Sequence, residues 1–148
     1  MCGVYNRRYY VEYIRSFCNS SKESDSITGI LIDMDKFKEI NDKYGHYVGD
    51  KALKLFSSVL RKQINDVGFA VRYGGDEFIL IAKQSEAEAE AVVANIINEI
   101  NEINATGKNE FYLAFSYGIA NVKSDGNLDE FLKTMDARMY EMKRSRKS

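Results

Sequence analysis

Two apolar, β-prone runs, Phe69-Ala70-Val71 and Ile79-Leu80-Ile81, flank Arg72-Tyr73-Gly74-Gly75-Asp76-Glu77-Phe78, and no other stretch constrains the fold as strongly. Runs of this kind joined across a glycine pair predict a β-hairpin, because residues without a Cβ turn tightly at positive φ without steric cost. The hairpin carries two adjacent carboxylates, Asp76 and Glu77, at its tip. That is a poor place for acids to help folding and a good one to meet a cation or a phosphate. The alternative is a charged turn that only keeps the hairpin soluble. Against it stands a second acidic cluster, Asp33 and Asp35, at the end of another apolar run.

That run, residues 27–32, is short, β-branched and nearly continuous, so it reads as a strand buried on both faces that delivers Asp33 at its carboxyl end. An acid directly after a buried strand must be solvated, paired or metal-bound. Earlier in the chain, Tyr5, Tyr9, Tyr13, Ile14 and Phe17 fall at helical spacing and predict a helix to about Phe17, then a polar loop over 19–26. Residues 37–43 read as one short helix, Gly45 as a break, and 47–63 as a second helix with Ala52, Leu55, Phe56, Val59 and Leu60 inward. Ser85 and Glu88 form a capping box opening a helix that buries Ala89, Val92, Val93, Ile96, Ile97, Ile100 and Ile103 and stops at Gly107. Phe111, Leu113, Phe115, Tyr117 and Ile119 alternate with smaller or polar residues, as in a strand with one face in the core. Asn127 starts a last helix with Leu128, Phe131, Leu132, Met135, Met139 and Met142 inward. Helices packed on a mainly antiparallel sheet make an α+β fold.

A chain of 148 residues can bury one ordinary core, and its 45% hydrophobic and 29% charged composition is that of a globular protein. Lys plus Arg number 21 against 22 Asp plus Glu, so no overall field recruits nucleic acid or a membrane, and any anion site must be local. Cys2 and Cys18 make neither a metal spacing nor a disulfide framework, and no secretory signal or long apolar span is evident, which predicts a cytoplasmic domain with reduced thiols. The basic end, Lys143-Arg144-Ser145-Arg146-Lys147, has a plain reading as a solvated helix terminus favoured by the macrodipole.

Gly74 to Phe78 spell GGDEF, and the chain resembles the GGDEF domains of bacterial diguanylate cyclases, which join two GTP molecules into cyclic di-GMP. Asp33-Met34-Asp35-Lys36-Phe37-Lys38-Glu39-Ile40-Asn41-Asp42, then Gly45-His46 and Gly49-Asp50, match the family's run DxDxFKxINDxxGHxxGD. Gly3-Val4-Tyr5-Asn6-Arg7-Arg8 looks like the end of its LTGLxNRR motif, and Asp136, Tyr140 and Lys143 fit its last helix. Met1-Cys2 stand where Leu-Thr is usual, which suggests a single domain over 1–148 cut from a longer sensory protein, with a sensory or membrane-anchoring region upstream. The resemblance implies a palm-like, ferredoxin-type fold shared with nucleotidyl cyclases and polymerases.

Making a phosphodiester from a triphosphate needs an activated 3′-hydroxyl, a neutralised α-phosphate and a stabilised pyrophosphate. The resemblance implies Mg²⁺ (or Mn²⁺) held by Asp33, the Met34 carbonyl and Asp76, with Glu77 either a further ligand or a proton acceptor beside Asp76. An EF-hand is excluded because the positions that need Gly and Glu hold Lys38 and Tyr44. An aspartyl-nucleophile phosphatase would leave the hairpin unexplained. Asp50, with Asn41, matches the guanine-reading positions, since a carboxylate accepts from both donors on guanine's edge. The helix start at Lys36, Phe37 and Lys38 suits phosphate, as does Lys143. The family ends its last helix as KxxGRN; here the Gly is missing and Lys147 replaces Arg, so Lys147 would grip phosphate less well, or Arg146 would serve. His46 reads as a structural hydrogen-bonding residue.

The implied partners are GTP and a second GGDEF domain in a transient homodimer. A silent GGDEF module that binds GTP or a protein without turnover is the alternative. Many family members carry an inhibitory product site, Arg-x-x-Asp, nine residues before the first Gly of GGDEF; here that stretch is Asn65-Asp66-Val67-Gly68, with neither the Arg nor the Asp. No product binding is expected there.

Overall fold

The structure is a computed structural model that describes residues 4–20 and 25–146. The elements run β1 (Tyr5–Asn6), α1 (Arg7–Ser20), β2 (Ser26–Met34), α2 (Phe37–Tyr44), α3 (His46–Ile64), β3 (Gly68–Arg72), β4 (Glu77–Ala82), α4 (Glu86–Ala105), β5 (Phe115–Lys123) and α5 (Leu128–Arg146). Cys2, Gly3, the middle of the expected 19–26 loop and Lys147 lie outside the described residues, as does the side chain of Cys18.

Among the described residues the strands are ordered β1-β3-β4-β2-β5, and every neighbouring pair is antiparallel except β1 with β3. The α+β architecture with a mainly antiparallel sheet is therefore as expected. Strand alternation divides the core. Ile30, Ile32 and Met34 of β2 face α2, α3 and α4, with Phe78 and Leu80 of β4 beside them. Ile27 and Leu31 face α1 and α5, with Ile79 and Ile81. Because successive residues point to opposite faces, Asp33 falls on the α5 side. This alternation brings the acid at the strand end under the basic end of α5.

Glycines let α5 come close. A Cβ on Gly118 of β5 would lie 2.0 Å from the Met135 carbonyl oxygen and 2.6 Å from the Met139 nitrogen, so helix backbone rests directly on strand backbone there. The capping box of α4 is formed, with Glu88 N–H donating to Ser85 Oγ at 3.1 Å and Ser85 N–H donating to Glu88 Oε1 at 3.0 Å. Gly107, at φ 65°, follows the helix end.

Three local expectations are corrected. The first helix begins at Arg7, not Tyr5, because Asn6 Oδ1 caps it by accepting from Tyr9 N–H at 3.0 Å. Tyr5 instead pairs with Val71 in the short parallel strand β1, its ring stacked on Tyr9 at 3.9 Å. The hairpin turn is a four-residue loop between Arg72 and Glu77, and neither Gly74 nor Gly75 has positive φ. The loop closes through Tyr73 and Gly74 N–H groups, which both donate to the Glu77 carbonyl at 2.8 and 3.2 Å, and through Arg72, whose guanidinium donates to the Gly74 and Gly75 carbonyls. A Cβ at Gly74 would lie 2.9 Å from Glu77 Oε1, the movable end of a side chain, and one at Gly75 would meet nothing. The last strand starts at Phe115 rather than Phe111. Phe111 and Leu113 are buried as their period requires, but the Leu113 backbone pairs with the Asn104 side chain of α4, donating to Oδ1 at 2.9 Å and accepting from Nδ2 at 2.8 Å. An amide side chain takes the place of a neighbouring strand.

Candidate functional site

β2 and β4 are neighbours, so the two acidic clusters converge as the sequence suggests. Asp33 is the register partner of Glu77, and Met34 N–H donates to the Asp76 carbonyl at 3.1 Å, which extends the ladder one residue past β4. Asp33 is only 8% exposed. Its Oδ2 accepts from Lys143 Nζ, while Oδ1 is buried without a hydrogen-bond partner. A buried carboxylate oxygen left unpaired is costly, and such an atom on a residue paired in register with another acid is a place for a cation.

The electrostatics agree. Asp76 has a pKa above the ordinary carboxylate range, chiefly through burial and then through the charge of Asp33 close by. Glu77 is raised likewise, by burial first and then by Asp33, Asp76 and Asp136. Burial opposes the Lys143 ammonium, yet its hydrogen bond to Asp33 and the charges of Asp33, Asp35 and Asp76 hold its pKa above that of an ordinary lysine. Carboxylates outnumber the one ammonium among them, so the cluster favours added positive charge. Among the described residues, no three His, Cys, Asp and Glu side chains form a ready-made metal cluster; the donors are two carboxylates with Glu77 nearby.

Asp35 leaves the sheet and turns to the other side of the same site. It accepts from Ser116 Oγ at 2.8 Å and from Arg146 Nη1 at 2.8 Å. Sequence reasoning did not foresee this pairing, since Ser116 and Arg146 lie far along the chain and neither belongs to a motif with Asp35. Arg146 Nη1 also donates to the Phe115 carbonyl. This contact belongs to a ladder in which α5 covers the outer edge of β5. Arg138 donates to the Ile119 carbonyl, Tyr117 N–H donates to Met142 Sδ at 3.4 Å, and Arg146 reaches Phe115. Four residues of helix rise about 6 Å and two of strand span about 6.6 Å, so steps of four on α5 stay in register with steps of two on β5. Backbone groups on an outer strand would otherwise be unpaired. The ladder fixes the last turn of α5, and hence Lys143, over Asp33.

Lys36 precedes α2 at φ 59°, the one positive-φ residue other than glycine among those described. The strained residue redirects the chain from β2 into α2, and the first N–H groups of the helix, at Phe37 and Lys38, have no partner within it. Lys36 and Lys38 are exposed. Asn41 of α2 lays its amide against Gly49 of α3, the residue before Asp50, so one expected base-reading residue rests against the immediate neighbour of the other. His46 and Asp50 are both exposed. Arg7 ties the start of α1 to the hairpin loop, with its guanidinium 4.4 Å from the centre of the Tyr73 ring.

At Asn65-Asp66-Val67-Gly68 the structure adds a steric reason to the missing charges. A Cβ on Gly68 would lie 1.8 Å from the Ile81 carbonyl oxygen, so β3 packs against β4 too closely for any side chain there. No helix among the described residues is long and apolar enough to cross a membrane.

A family model described as the GGDEF domain of diguanylate cyclases matches residues 1–148. The chain is 30% identical over 146 residues to the diguanylate cyclase DgcS of Shewanella oneidensis, covering 98% of this chain and 49% of that protein. It is 33% identical over 149 residues to the probable diguanylate cyclase DgcJ of Escherichia coli, covering 100% of this chain and 29% of that one. The chain thus spans half or less of the length of these relatives. Among solved structures, the GGDEF domain of DgcB from Caulobacter crescentus in complex with c-di-GMP superposes with a TM-score of 0.85 at 26% identity, covering 96% of this chain and 86% of that one. The active GGEEF domain of a diguanylate cyclase from Vibrio cholerae gives 0.82 at 25% identity, covering 96% and 92%.

Proposed function

Since the chain belongs to the GGDEF family of diguanylate cyclase domains, we propose that it condenses two molecules of GTP into cyclic di-GMP and two of pyrophosphate, with Mg²⁺ or Mn²⁺ as cofactor. The reading is carried by Asp33, nearly buried, with one oxygen on Lys143 and the other unpaired, across from Asp76 and Glu77. Hard oxygen donors of this kind fit a small divalent cation. Asp33, Asp76 and the Met34 carbonyl would hold it, with Glu77 as a further ligand or as acceptor of the 3′-hydroxyl proton. Bound there, the cation would neutralise charge on the α-phosphate and favour the alkoxide of the attacking hydroxyl.

The protein's own groups do the rest. Backbone N–H groups at Lys36, Phe37 and Lys38 receive phosphate oxygens at a helix start. Lys143 spans Asp33 and the triphosphate as a point charge with three donors. Arg146, anchored through Nη1, offers its remaining nitrogens to phosphate, together with Lys147 beyond the described residues. Asn41 and Asp50 read the guanine edge. Each 3′-hydroxyl attacks the α-phosphate of the other nucleotide and expels pyrophosphate. One domain holds one GTP, so two domains meet face to face about a twofold axis.

Incubation of the protein with GTP and Mg²⁺, with the products resolved by mass, tests the reading. Cyclic di-GMP should form and should vanish in Asp33→Asn, which keeps the size of the side chain but removes its charge. Turnover of Asp33→Asn at the wild-type rate would refute the assignment of the site.

A further inference from the structure

Gly49 sits in the first turns of α3, inside regular helix, where a glycine weakens the helix relative to alanine. It has no positive φ, so conformational freedom does not explain it. Space does. A Cβ at Gly49 would fall 1.7 Å from Asn41 Oδ1, 2.8 Å from its Cγ and 3.6 Å from its Nδ2. These are its three nearest neighbours, and all belong to one side-chain amide. Gly49 thus differs from Gly68 and Gly118, whose bare Cα atoms face unyielding backbone. Here what a methyl group would press on most closely is the amide of Asn41, a side-chain end that can swing away without moving either helix.

We propose that Gly49 is a positioning residue for base recognition: its bare Cα is the slot that seats the Asn41 amide beside Asp50, so that amide and carboxylate meet the same guanine edge. The inference rests on the reading that Asn41 and Asp50 bind the base. An amide both donates and accepts, whereas a carboxylate only accepts, so the pair can match a mixed edge only if the amide is held in one place and orientation. Gly49 and Asp50 are adjacent on α3, so the slot and the carboxylate move as one body. Its cost is the weaker helix that glycine brings.

The prediction is a substitution whose effects on stability and on binding have opposite signs. Gly49→Ala should melt no lower than the wild type, because the helix gains propensity and only a mobile side chain must yield. It should bind GTP about tenfold more weakly, the factor for one lost hydrogen bond, while ATP binding changes little. Calorimetry with GTP and with ATP in Mg²⁺, alongside thermal melts, would measure both in wild type, Asn41→Ala, Gly49→Ala and the double variant. With the Asn41 amide gone, the added methyl has nothing to evict, so the double variant should bind GTP as Asn41→Ala does.

Wild-type GTP affinity in Gly49→Ala, with Asn41→Ala weakened, would overturn the inference alone. So would additive losses in the double variant, which would show Gly49 acting apart from Asn41. A lower melting temperature with equal losses for GTP and ATP would reduce Gly49 to a packing residue and overturn it too. Unchanged GTP affinity in Asn41→Ala would overturn the base-reading assignment itself, and the inference with it. Gly49→Ser, with a similar Cβ and a poorer helix residue, should repeat the binding loss whatever the helix gains.

Discussion

Substituting Gly118 by alanine should uncouple the seat of α5 from the rest of the fold. The new Cβ would start 2.0 Å from the Met135 carbonyl oxygen and 2.6 Å from the Met139 nitrogen, both backbone atoms that no rotamer change relieves. Real Cβ contacts do not fall below 3.0 Å, so α5 must retreat from β5 by about 1 Å. Overpacking of this kind costs about 1–3 kcal/mol. At about 2–4 °C per kcal/mol for a domain of this size, the melting temperature should fall by several degrees while the protein stays folded at room temperature. The effect on the site should be larger. Lys143 is one helical turn beyond Met139, and Arg146 meets Asp35 at 2.8 Å, so a retreat of about 1 Å takes that pair past hydrogen-bonding distance. Misplacement on that scale can cost about a hundredfold in rate. Melts followed by circular dichroism and cyclic di-GMP formation well below the melting point are the assays. Gly29→Ala is the comparison, because its Cβ would crowd buried side-chain atoms of Phe131, Met135 and Ile81, at 2.6, 2.8 and 3.4 Å, so it should cost stability through side-chain overpacking, without the direct backbone clash on α5 that Gly118→Ala makes. If Gly118→Ala melted and turned over like the wild type, backbone contact with β5 would not be what seats α5.

The raised pKa values of Asp76 and Glu77 mean that the folded protein binds these protons more tightly than the unfolded chain does. Their contribution to stability is therefore full below about pH 4 and is lost as pH rises through the raised values. Without metal, Asp76→Asn should gain on the wild type in melts as pH increases from about 4 to 7, and Mg²⁺ should stabilise the wild type much more than the variant; parallel melting curves would refute this. Asp50→Asn should weaken GTP binding and relax discrimination against ATP, since an amide cannot accept from both guanine donors, and competition binding with the two nucleotides checks it. Specific activity should rise with protein concentration, because two domains must meet, and a constant value across a wide dilution series would contradict that. Calorimetry should show no cyclic di-GMP binding at Asn65 to Gly68, and micromolar binding abolished by Asn65→Ala would show otherwise.

The local alphabet of this chain was legible because it is written in contiguous residues. The apolar run before Asp33 reads as a strand buried on both sides, the Ser85 and Glu88 spacing as a helix cap, and the GGDEF stretch as a hairpin that carries two acids at its tip. Short-range periodicity also located the buried faces of α3, α4 and α5 to within a few residues. It missed Val48, Leu53 and Ile64 of α3, which are buried in the core that α3 shares with β2, β4 and α4. The family motifs, being runs in sequence, named Asp33, Asp76, Asn41 and Asp50 before any fold was known.

What only the tertiary structure decided is how distant segments satisfy one another's backbone and charge. Asn104 replaces a strand for Leu113, so β5 begins four residues later than its alternation predicts. Tyr5 leaves the helical pattern because Asn6 caps α1 and β3 offers a free edge. The glycines of the hairpin do not supply positive φ, since Arg72 holds the turn by its carbonyls. Asp35 is joined to Arg146 across 111 residues, and the Gly49 slot receives an amide from another helix. None of these is a pattern along the chain. A hydrogen bond or a steric slot depends on atoms within a few ångströms, and residues far apart in sequence reach that distance only once sheet order and helix seating are set.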